Sequence, residues 1–277
     1  MTFLEANTAV TGPGQIFELI DGEVRGVKMK VFKNAPAHLG QVFAGSRGHG
    51  DKTFLVYEDE IITFAQAADR IDALASLLVN TYGVKKGDRV AVAMRNFPEW
   101  VMSFAAIISV GAINVSMNSW WTEDEMDFAL EDSGATVLIC DQQRFDIGAA
   151  SCVKKNIKVL VVRPEKPLPA GVDKWEEVLP LGDKHPGADI SPDDDATILY
   201  TSGTTGRPKG AVSTHRAILS SIMAFSARNT IFQMSGTKLK DVDGPEVPTS
   251  FILIVPLFHV TGCVPVMLSC FVAGLKL

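Results

Sequence analysis

The sequence lacks the features that define several common protein classes. Its four cysteines, at positions 140, 152, 263 and 270, form no CxxC pair and no dense pattern. This spacing excludes a zinc ribbon and a disulfide-stapled fold, and it predicts reduced structural thiols. The sequence also has no basic tract, and its net charge is −6. Binding to nucleic acid is therefore not expected.

Long apolar runs are also missing. Residues 247–275 contain no Asp, Glu, Lys or Arg, but Pro256, His259, Gly262 and Pro265 interrupt them. A membrane span needs about 18–20 uninterrupted apolar residues, so a strand, a turn and a buried helix are predicted here instead. The first residues lack the basic start and apolar core of a signal peptide. We therefore expect a cytoplasmic protein without a membrane span.

Strand and helix signals alternate through the middle of the chain. Hydrophobic residues make up 47% of the whole sequence. Helix-start signals occur at Thr63 with Gln66, at Pro98, and at Thr122 with Glu125. Such alternation predicts an α/β fold with layered, mostly parallel sheets flanked by helices. The predicted strands are Phe54–Tyr57, Ile61–Thr63, Arg89–Met94, Ala112–Val115, Thr136–Cys140, Lys158–Val162, Ala196–Leu199 and Phe251–Val255.

Three regions are expected from composition and pattern. Residues 1–50 are glycine-rich and weakly patterned, which predicts an irregular N-terminal segment. Residues 51–180 form an α/β subdomain, and residues 181–277 form a second subdomain. Proline-rich or polar stretches at 163–170 and 179–195 are predicted connectors.

The stretch Tyr200–Gly210 carries the strongest chemical signal. Glycines permit close backbone approach, hydroxyls add hydrogen-bond donors, and Lys209 adds one positive charge. Such a loop between two strands can wrap a polyphosphate. A plain surface hairpin is the alternative interpretation. A Walker loop does not fit, because Pro208 precedes the lysine and Gly210 follows it.

The run Ile198–Gly210 resembles the AMP-binding signature of the adenylate-forming superfamily, which includes acyl- and aryl-CoA synthetases. Pro256-Leu257-Phe258-His259 is similar to the family motif that follows the phosphate loop. An earlier block, from Gly111 to Ile139, is also similar, although Ser116 stands where a proline is common. The resemblance extends from about Thr53 to the end of the chain. It implies an incomplete N-terminal large domain of such an enzyme, with the small C-terminal domain absent.

The resemblance implies a two-step ligase reaction with ATP/AMP, Mg²⁺ and coenzyme A. A carboxylate attacks the α-phosphorus of ATP to give an acyl-adenylate and pyrophosphate, and a thiol then takes the acyl group. Lys209 would neutralise the departing pyrophosphate, and Thr204 or Thr205 would contact Mg²⁺. The implied phosphate-binding residues are Thr201, Ser202, Gly203, Thr204, Thr205, Gly206 and Lys209.

His259 has two interpretations. A lone histidine after an apolar strand is often structural. The resemblance implies instead that His259 lies between the carboxylic acid and the α-phosphate and orients the acid. We take His259, with Lys209, as a candidate catalytic residue.

Three functions remain open from the sequence. The first is an N-terminal fragment of a fatty- or aryl-acid–CoA ligase acting in fatty acid metabolism. The second is a fragment of an adenylating enzyme that loads a carrier-protein thiol, and the third is a non-enzymatic nucleotide-binding module. The resemblance implies that a magnesium-binding glutamate, a ribose-binding aspartate and a mobile lysine are missing. We therefore expect the chain to be inactive alone, and to form homo-oligomers through its apolar 251–275 segment.

Overall fold

The computed structural model describes residues 1–201, 207–236 and 248–277. The strands in these ranges are β1 (Leu19–Val24), β2 (Val27–Phe32), β3 (Thr53–Tyr57), β4 (Glu60–Thr63), β5 (Arg89–Ala93), β6 (Ile113–Ser116), β7 (Ala135–Asp141), β8 (Lys158–Val162), β9 (Val172–Lys174), β10 (Asp195–Thr201) and β11 (Lys209–Thr214). The α-helices are α1 (Phe3–Thr11), α2 (Leu39–Ser46), α3 (Phe64–Ser76), α4 (Pro98–Ser109), α5 (Glu123–Ser133), α6 (Gln142–Lys155), α7 (Trp175–Val178), α8 (His215–Met234) and α9 (Ser269–Ala273). A 3₁₀ turn covers Arg47–His49, and π-helical segments cover Leu77–Thr81 and Gly262–Leu268.

Seven strands form the main sheet, in the order β11-β10-β6-β5-β7-β8-β9. All neighbouring pairs are parallel except β10 with β11, which form an antiparallel hairpin. Two smaller antiparallel hairpins, β1-β2 and β3-β4, lie outside this sheet. The predicted α/β class with a mostly parallel sheet is therefore confirmed. Strands from both predicted subdomains share the main sheet, and the division at residue 180 stays a prediction.

Helices cover both faces of the main sheet, as parallel strands require. Alternate residues of the central strands enter opposite cores. Val90, Val137 and Leu160 pack into the larger core with α2, α3, α4 and α9. Ala91, Leu138 and Val159 pack into the second core with α5 and α6. Every residue of α4 is buried, which places this helix at the centre of the larger core.

The predicted helix starts are confirmed. Thr63 and Gln66 form a capping box before α3, and Thr122 and Glu125 form one before α5. Pro98 occupies the first turn of α4, where its missing N–H costs no hydrogen bond. These signals are local, because a cap needs only residues within one helical turn.

The predicted irregular segment over residues 1–50 is wrong. It contains α1, the β1-β2 hairpin and α2. A capping box between Thr2 and Glu5 begins α1. Arg25 and Gly26 both have positive φ, 49° and 81°, as a tight two-residue hairpin turn requires. Both signals are present in the sequence, but the weak hydrophobic pattern around them concealed the elements.

Tertiary contacts hold this N-terminal segment. Ala6 and Val10 of α1 pack against Ala227 and Ile231 of α8. Arg25 at the hairpin tip forms a 2.8 Å ion pair with Asp195 at the start of β10. The neighbouring aspartates are also paired, since Asp193 contacts Arg216 and Asp194 contacts Lys86. The acidic run before β10 thus carries structural ion pairs.

Two further differences lie in the connectors and near the end of the chain. The predicted connectors flank α7 and the short strand β9, which were missed because each has at most four residues. The predicted buried strand at 251–255 is wrong, because Ile252 and Ile254 are 89% and 85% exposed. A strand needs a hydrogen-bonded neighbour, and the only β-pairing next to this segment within the described ranges is an isolated bridge from Ser250 to Lys276. The predicted buried helix follows at 262–273.

His215, at the start of α8, is fully buried against the N-terminal segment. The Leu39 N–H donates to its Nδ1 at 3.2 Å, which requires the neutral imidazole with its proton on Nε2. The His38 ring packs edge-on at 6.1 Å. Burial, together with the nearby His38 and Lys86, lowers the pKa of His215 to about 4, although Asp194 opposes the shift. His215 therefore favours the folded state only while it is neutral.

We expect this histidine to make the fold sensitive to mild acid. The unfolded chain protonates His215 near pH 6.5, whereas the folded chain resists protonation down to about pH 4. Stability is thus complete above pH 6.5 and falls as the pH drops towards 4, by about 3 kcal/mol for this group. Urea unfolding from pH 7.5 to 4.5 measures how the free energy of unfolding changes with pH. The side chain of H215Q cannot titrate, so this variant should lose less stability over the range. An equal loss in both proteins would contradict the role given to His215.

Candidate nucleotide-binding site

The carboxyl ends of β5, β6 and β10 lie side by side in the main sheet. Leu199 of β10 pairs with Ser116 of β6, which in turn pairs with Val92 of β5. The chain segments that leave these strands, after residues 93, 116 and 201, therefore meet at one edge. Ligands of open parallel sheets bind at this edge, beyond the carboxyl ends of the strands.

The predicted phosphate loop lies in sequence between the end of β10 and the start of β11. Thr201 ends β10 and lies directly opposite Lys209, the first residue of β11. The Thr201 hydroxyl donates to the Lys209 carbonyl oxygen at 3.4 Å, and both residues are exposed. The structure thus brings together the two predicted site residues that it describes here. The other loop predictions, Ser202, Gly203, Thr204, Thr205 and Gly206, lie outside the described residues.

The base of the loop is fixed by buried contacts of Tyr200. Its hydroxyl donates to Asp132 Oδ2 at 2.7 Å, and its ring packs edge-on against Trp121. Burial and the adjacent Asp132 raise the pKa of Tyr200, so it stays neutral. Across the hairpin, a Cβ at Gly210 would lie 2.8 Å from the Ile198 side chain. This glycine therefore permits close strand pairing at the base of the loop.

The side chain of Lys209 belongs to an exposed residue. In the part of the chain that the structure describes, no carboxylate forms an ion pair with it. An exposed ammonium group beside a glycine- and hydroxyl-rich loop suits a polyanion such as a nucleotide phosphate. The same described residues contain no group of three or more His, Cys, Asp or Glu able to hold a metal.

His259 lies on a separate turn at the start of the last helical segment. Its N–H donates to the Pro256 carbonyl oxygen at 3.0 Å, and its own carbonyl accepts from Gly262 N–H at 3.0 Å. The His259 residue is exposed, while the preceding Phe258 is buried edge-on against Trp120, 5.4 Å away. Trp120 belongs to the segment that leaves β6. The turn is therefore joined to the same edge of the sheet as the loop base.

The sequence analysis missed Asn96, which connects this turn to β5. Its side-chain amide donates to the carbonyl oxygens of Leu253 and Val255, at 3.3 and 3.0 Å. Its Oδ1 accepts from Leu257 N–H at 2.9 Å. In the sequence, the one sign of this role is that Asn96 is a polar residue close to the end of a buried strand.

A buried ion pair supports the neighbouring segments. Asp141, at the end of β7, caps α6 and accepts from the Arg95 N–H at 3.1 Å. Arg144 donates to Asp141 Oδ2 at 3.1 Å and to the Ser119 carbonyl oxygen through Nε at 2.8 Å. Both charged side chains are at least nine-tenths buried. This pair therefore links the segments that leave β5, β6 and β7.

The turn that carries His259 depends on a glycine. A Cβ at Gly262 would lie 2.5 Å from the Pro256 carbonyl oxygen and 3.2 Å from Leu257 Cα. These are backbone atoms, which cannot rotate away as a side chain can. We expect G262A to destabilise the fold by about 1–3 kcal/mol and to speed amide exchange in residues 256–262. Urea unfolding and hydrogen exchange test this, with G45A as a control, since a Cβ at Gly45 meets no atom within 4 Å.

Comparison with known proteins identifies the family. The model of the AMP-binding enzyme family matches residues 42–277. The chain belongs to this family. The resemblance found in the sequence motifs is therefore confirmed. Among the described residues of this AMP-binding family member, no helix has both the length and the apolarity needed to cross a bilayer.

Relatives with known names are CoA ligases for different acids. The oxalate–CoA ligase of Arabidopsis thaliana is 31% identical over 219 residues, covering 77% of this chain and 39% of that protein. The long-chain-fatty-acid–CoA ligase of Haemophilus influenzae is 29% identical over 243 residues, covering 77% of this chain and 41% of that protein. The chain thus spans about two fifths of the length of these relatives.

A solved structure shares the fold. The inhibitor-bound N-terminal domain of FACL13 from Mycobacterium tuberculosis matches 87% of this chain and 57% of its own, with a TM-score of 0.64 and 24% identity.

Proposed function

We propose that this chain is the nucleotide-binding part of an ATP-dependent acid–CoA ligase. The observation that carries the proposal is the exposed Lys209 opposite Thr201, at the base of a glycine- and hydroxyl-rich loop on the carboxyl edge of the sheet. The relatives' names, which include oxalate and long-chain fatty acid ligases, support a carboxylic acid substrate and a CoA acceptor. Fatty and aryl acids remain our proposed substrate classes.

Each predicted residue has a defined part in this proposal. Backbone N–H groups and hydroxyls from Thr201 to Gly206 bind the phosphates of ATP, and Lys209 neutralises the pyrophosphate as it leaves. Thr204 or Thr205 would hold a magnesium ion, which would supply positive charge to the phosphates. His259 orients the carboxylic acid towards the α-phosphorus. The protein's contribution is alignment and charge neutralisation, because no side chain has to act as the nucleophile.

Ligand binding by the purified chain tests the proposal directly. Isothermal titration with ATP, GTP, AMP and non-hydrolysable acyl-adenylate analogues separates the candidate functions. We expect ATP to bind better than GTP, and an acyl-adenylate analogue to bind better than AMP. Binding of ATP with no preference for the acyl group would favour a nucleotide-binding module. Failure to bind any nucleotide would contradict the proposal.

We also propose that the isolated chain does not turn over its substrates. The chain spans about two fifths of the length of the relatives it matches, and turnover would need groups from the rest of that length. Acid-dependent ATP–pyrophosphate exchange, measured with a panel of aliphatic and aryl acids, tests this. Robust exchange by the isolated chain would overturn this part of the proposal, and its dependence on CoA would then identify the acceptor thiol.

Self-association is the expected behaviour of the exposed apolar segment near the end of the chain. Ile252, Ile254 and Val260 are 89%, 85% and 59% exposed. Adjacent apolar side chains exposed to this extent favour contact with a second copy. We expect a dimer or larger species by light scattering, and the double substitution I252K/I254K should yield a monomer. I16K alters a comparably exposed residue elsewhere and should leave the mass unchanged. A monomeric wild type at high concentration would contradict the prediction.

A further inference from the structure

The segment Leu253–Leu257 lies on the protein without strand pairing of its own. Within the described ranges, the hydrogen bonds that join residues 253–257 to residues distant in the sequence are the three made by Asn96. Leu257 is buried at the end of the segment, while Ile254 is 85% exposed in its middle. The position of this segment therefore depends on the Asn96 amide together with the packing of Leu253 and Leu257 on the larger core.

The chemistry of the three contacts is specific for an amide. The Nδ2 group has two hydrogens, and they meet the carbonyl oxygens of Leu253 and Val255. The oxygen of the same amide meets the Leu257 N–H. An aspartate would retain the acceptor but would place negative charge against two carbonyl oxygens. An alanine would leave all three backbone groups without these partners.

Asn96 is itself held on a rigid support. The preceding Arg95 donates its N–H to the buried Asp141, and the following Phe97 N–H donates to the Arg95 carbonyl oxygen at 2.7 Å. Pro98 then begins α4, which is buried throughout. Asn96 is thus fixed between β5 and the central helix α4.

We propose that Asn96 is a positioning residue that sets the place of His259. Asn96 hydrogen-bonds to Leu253, Val255 and Leu257, on both sides of Pro256. The His259 N–H in turn donates to the Pro256 carbonyl oxygen. Phe258 packs edge-on against Trp120, which gives the turn a second contact. This inference rests on the proposed function in one respect, namely that His259 faces the acid. It therefore predicts that Asn96 affects recognition of the acyl group and not of ATP.

Two variants and one matched control test the anchor without any need for turnover. We expect N96A to increase the amide exchange rate of Leu257 at least tenfold, because it removes the acceptor of the Leu257 N–H, and N96D, which keeps that acceptor, to increase this rate less. The His259 imidazole signal, assigned by its loss in H259A, should shift in both variants while the signals of the other four histidines stay in place. N34A also removes an asparagine that donates to two carbonyl oxygens, but on the N-terminal hairpin. It should leave exchange at Leu257 and the His259 signal unchanged.

Ligand binding tests the consequence for the acid. We expect N96A to weaken the binding of an acyl-adenylate analogue about tenfold and to change the affinity for ATP less than twofold. Equal losses for both ligands would show a general structural defect and overturn the positioning role. Unchanged Leu257 exchange or an unshifted His259 signal would overturn the anchor itself. If the wild type binds neither ligand, the proposed function fails, and the exchange and imidazole measurements still decide whether Asn96 positions the turn.

Discussion

Replacing Lys209 by alanine will weaken ATP binding by the chain about 10- to 100-fold. A charge-assisted hydrogen bond to phosphate contributes about 1.5–3 kcal/mol, and Lys209 is exposed with no ion-pair partner among the described residues. Its loss therefore removes a ligand contact without leaving a buried carboxylate unpaired. Under the proposed function, the same change should slow adenylation by an active longer form about 10²–10³-fold, because the positive charge would also stabilise the leaving pyrophosphate.

Two controls distinguish charge from general damage. K209R keeps the charge and should retain part of the affinity, although its planar guanidinium cannot replace a compact ammonium at every oxygen. K28A removes an exposed lysine from β2, far along the chain from the loop, and should bind ATP as the wild type does. Unfolding curves should be the same for all four proteins. Unchanged ATP affinity in K209A would contradict the assignment of the phosphate site.

The substitution R163A will destabilise the fold by about 3 kcal/mol. Arg163 follows β8 and bonds to both oxygens of Glu99, at 3.0 and 3.1 Å, and to both oxygens of Glu60. Its guanidinium also lies 5.0 Å from the ring centres of Tyr57 and Phe97. Burial opposes the charge of Arg163, but the two carboxylates raise its pKa above the ordinary value. Its removal would leave Glu99, which is only 7% exposed, as an unpaired buried charge.

Urea unfolding of three variants measures this effect. R163K keeps the charge but loses the bidentate contacts with the two carboxylates. We therefore expect it to lose about half as much stability as R163A does. Lys166 lies three residues after Arg163 and forms an exposed ion pair with Asp146. K166A removes this pair and should lower the free energy of unfolding by less than about 1 kcal/mol. A loss in R163A no larger than that in K166A would show that the cluster does not stabilise the fold. R163G would add a separate measure of backbone strain, because Arg163 has a φ of 50°.

Elements of the main sheet were predictable where their signals are local. The apolar runs of β7 and β8 are buried on both faces, and the capping box at Thr63 involves residues within one turn. The base of the phosphate loop was also predictable, since hairpin pairing of Thr201 with Lys209 follows from two strands separated by a turn-rich stretch. These features depend on neighbours in the sequence, which a pattern can record.

Other features were not predictable because their partners are distant in sequence. The 251–255 segment has the composition of a buried strand, but strand formation requires a neighbour, and pattern alone cannot supply one. Asn96 contacts residues about 160 positions away, so nothing near it in the sequence indicates its three hydrogen bonds. The same holds for Arg163, whose partner Glu60 lies 103 residues earlier.

The sequence by itself determined the fold class and the family, because each rests on short patterns of residues whose physical meaning is local. Only the tertiary structure decided which side chains support the base of the predicted phosphate loop and the His259 turn. Parallel strands place their carboxyl ends together however far apart they lie in the chain. That crossover topology brings Asn96, Trp120 and Thr201 to one edge of the sheet, where side-chain contacts join segments that the sequence keeps apart.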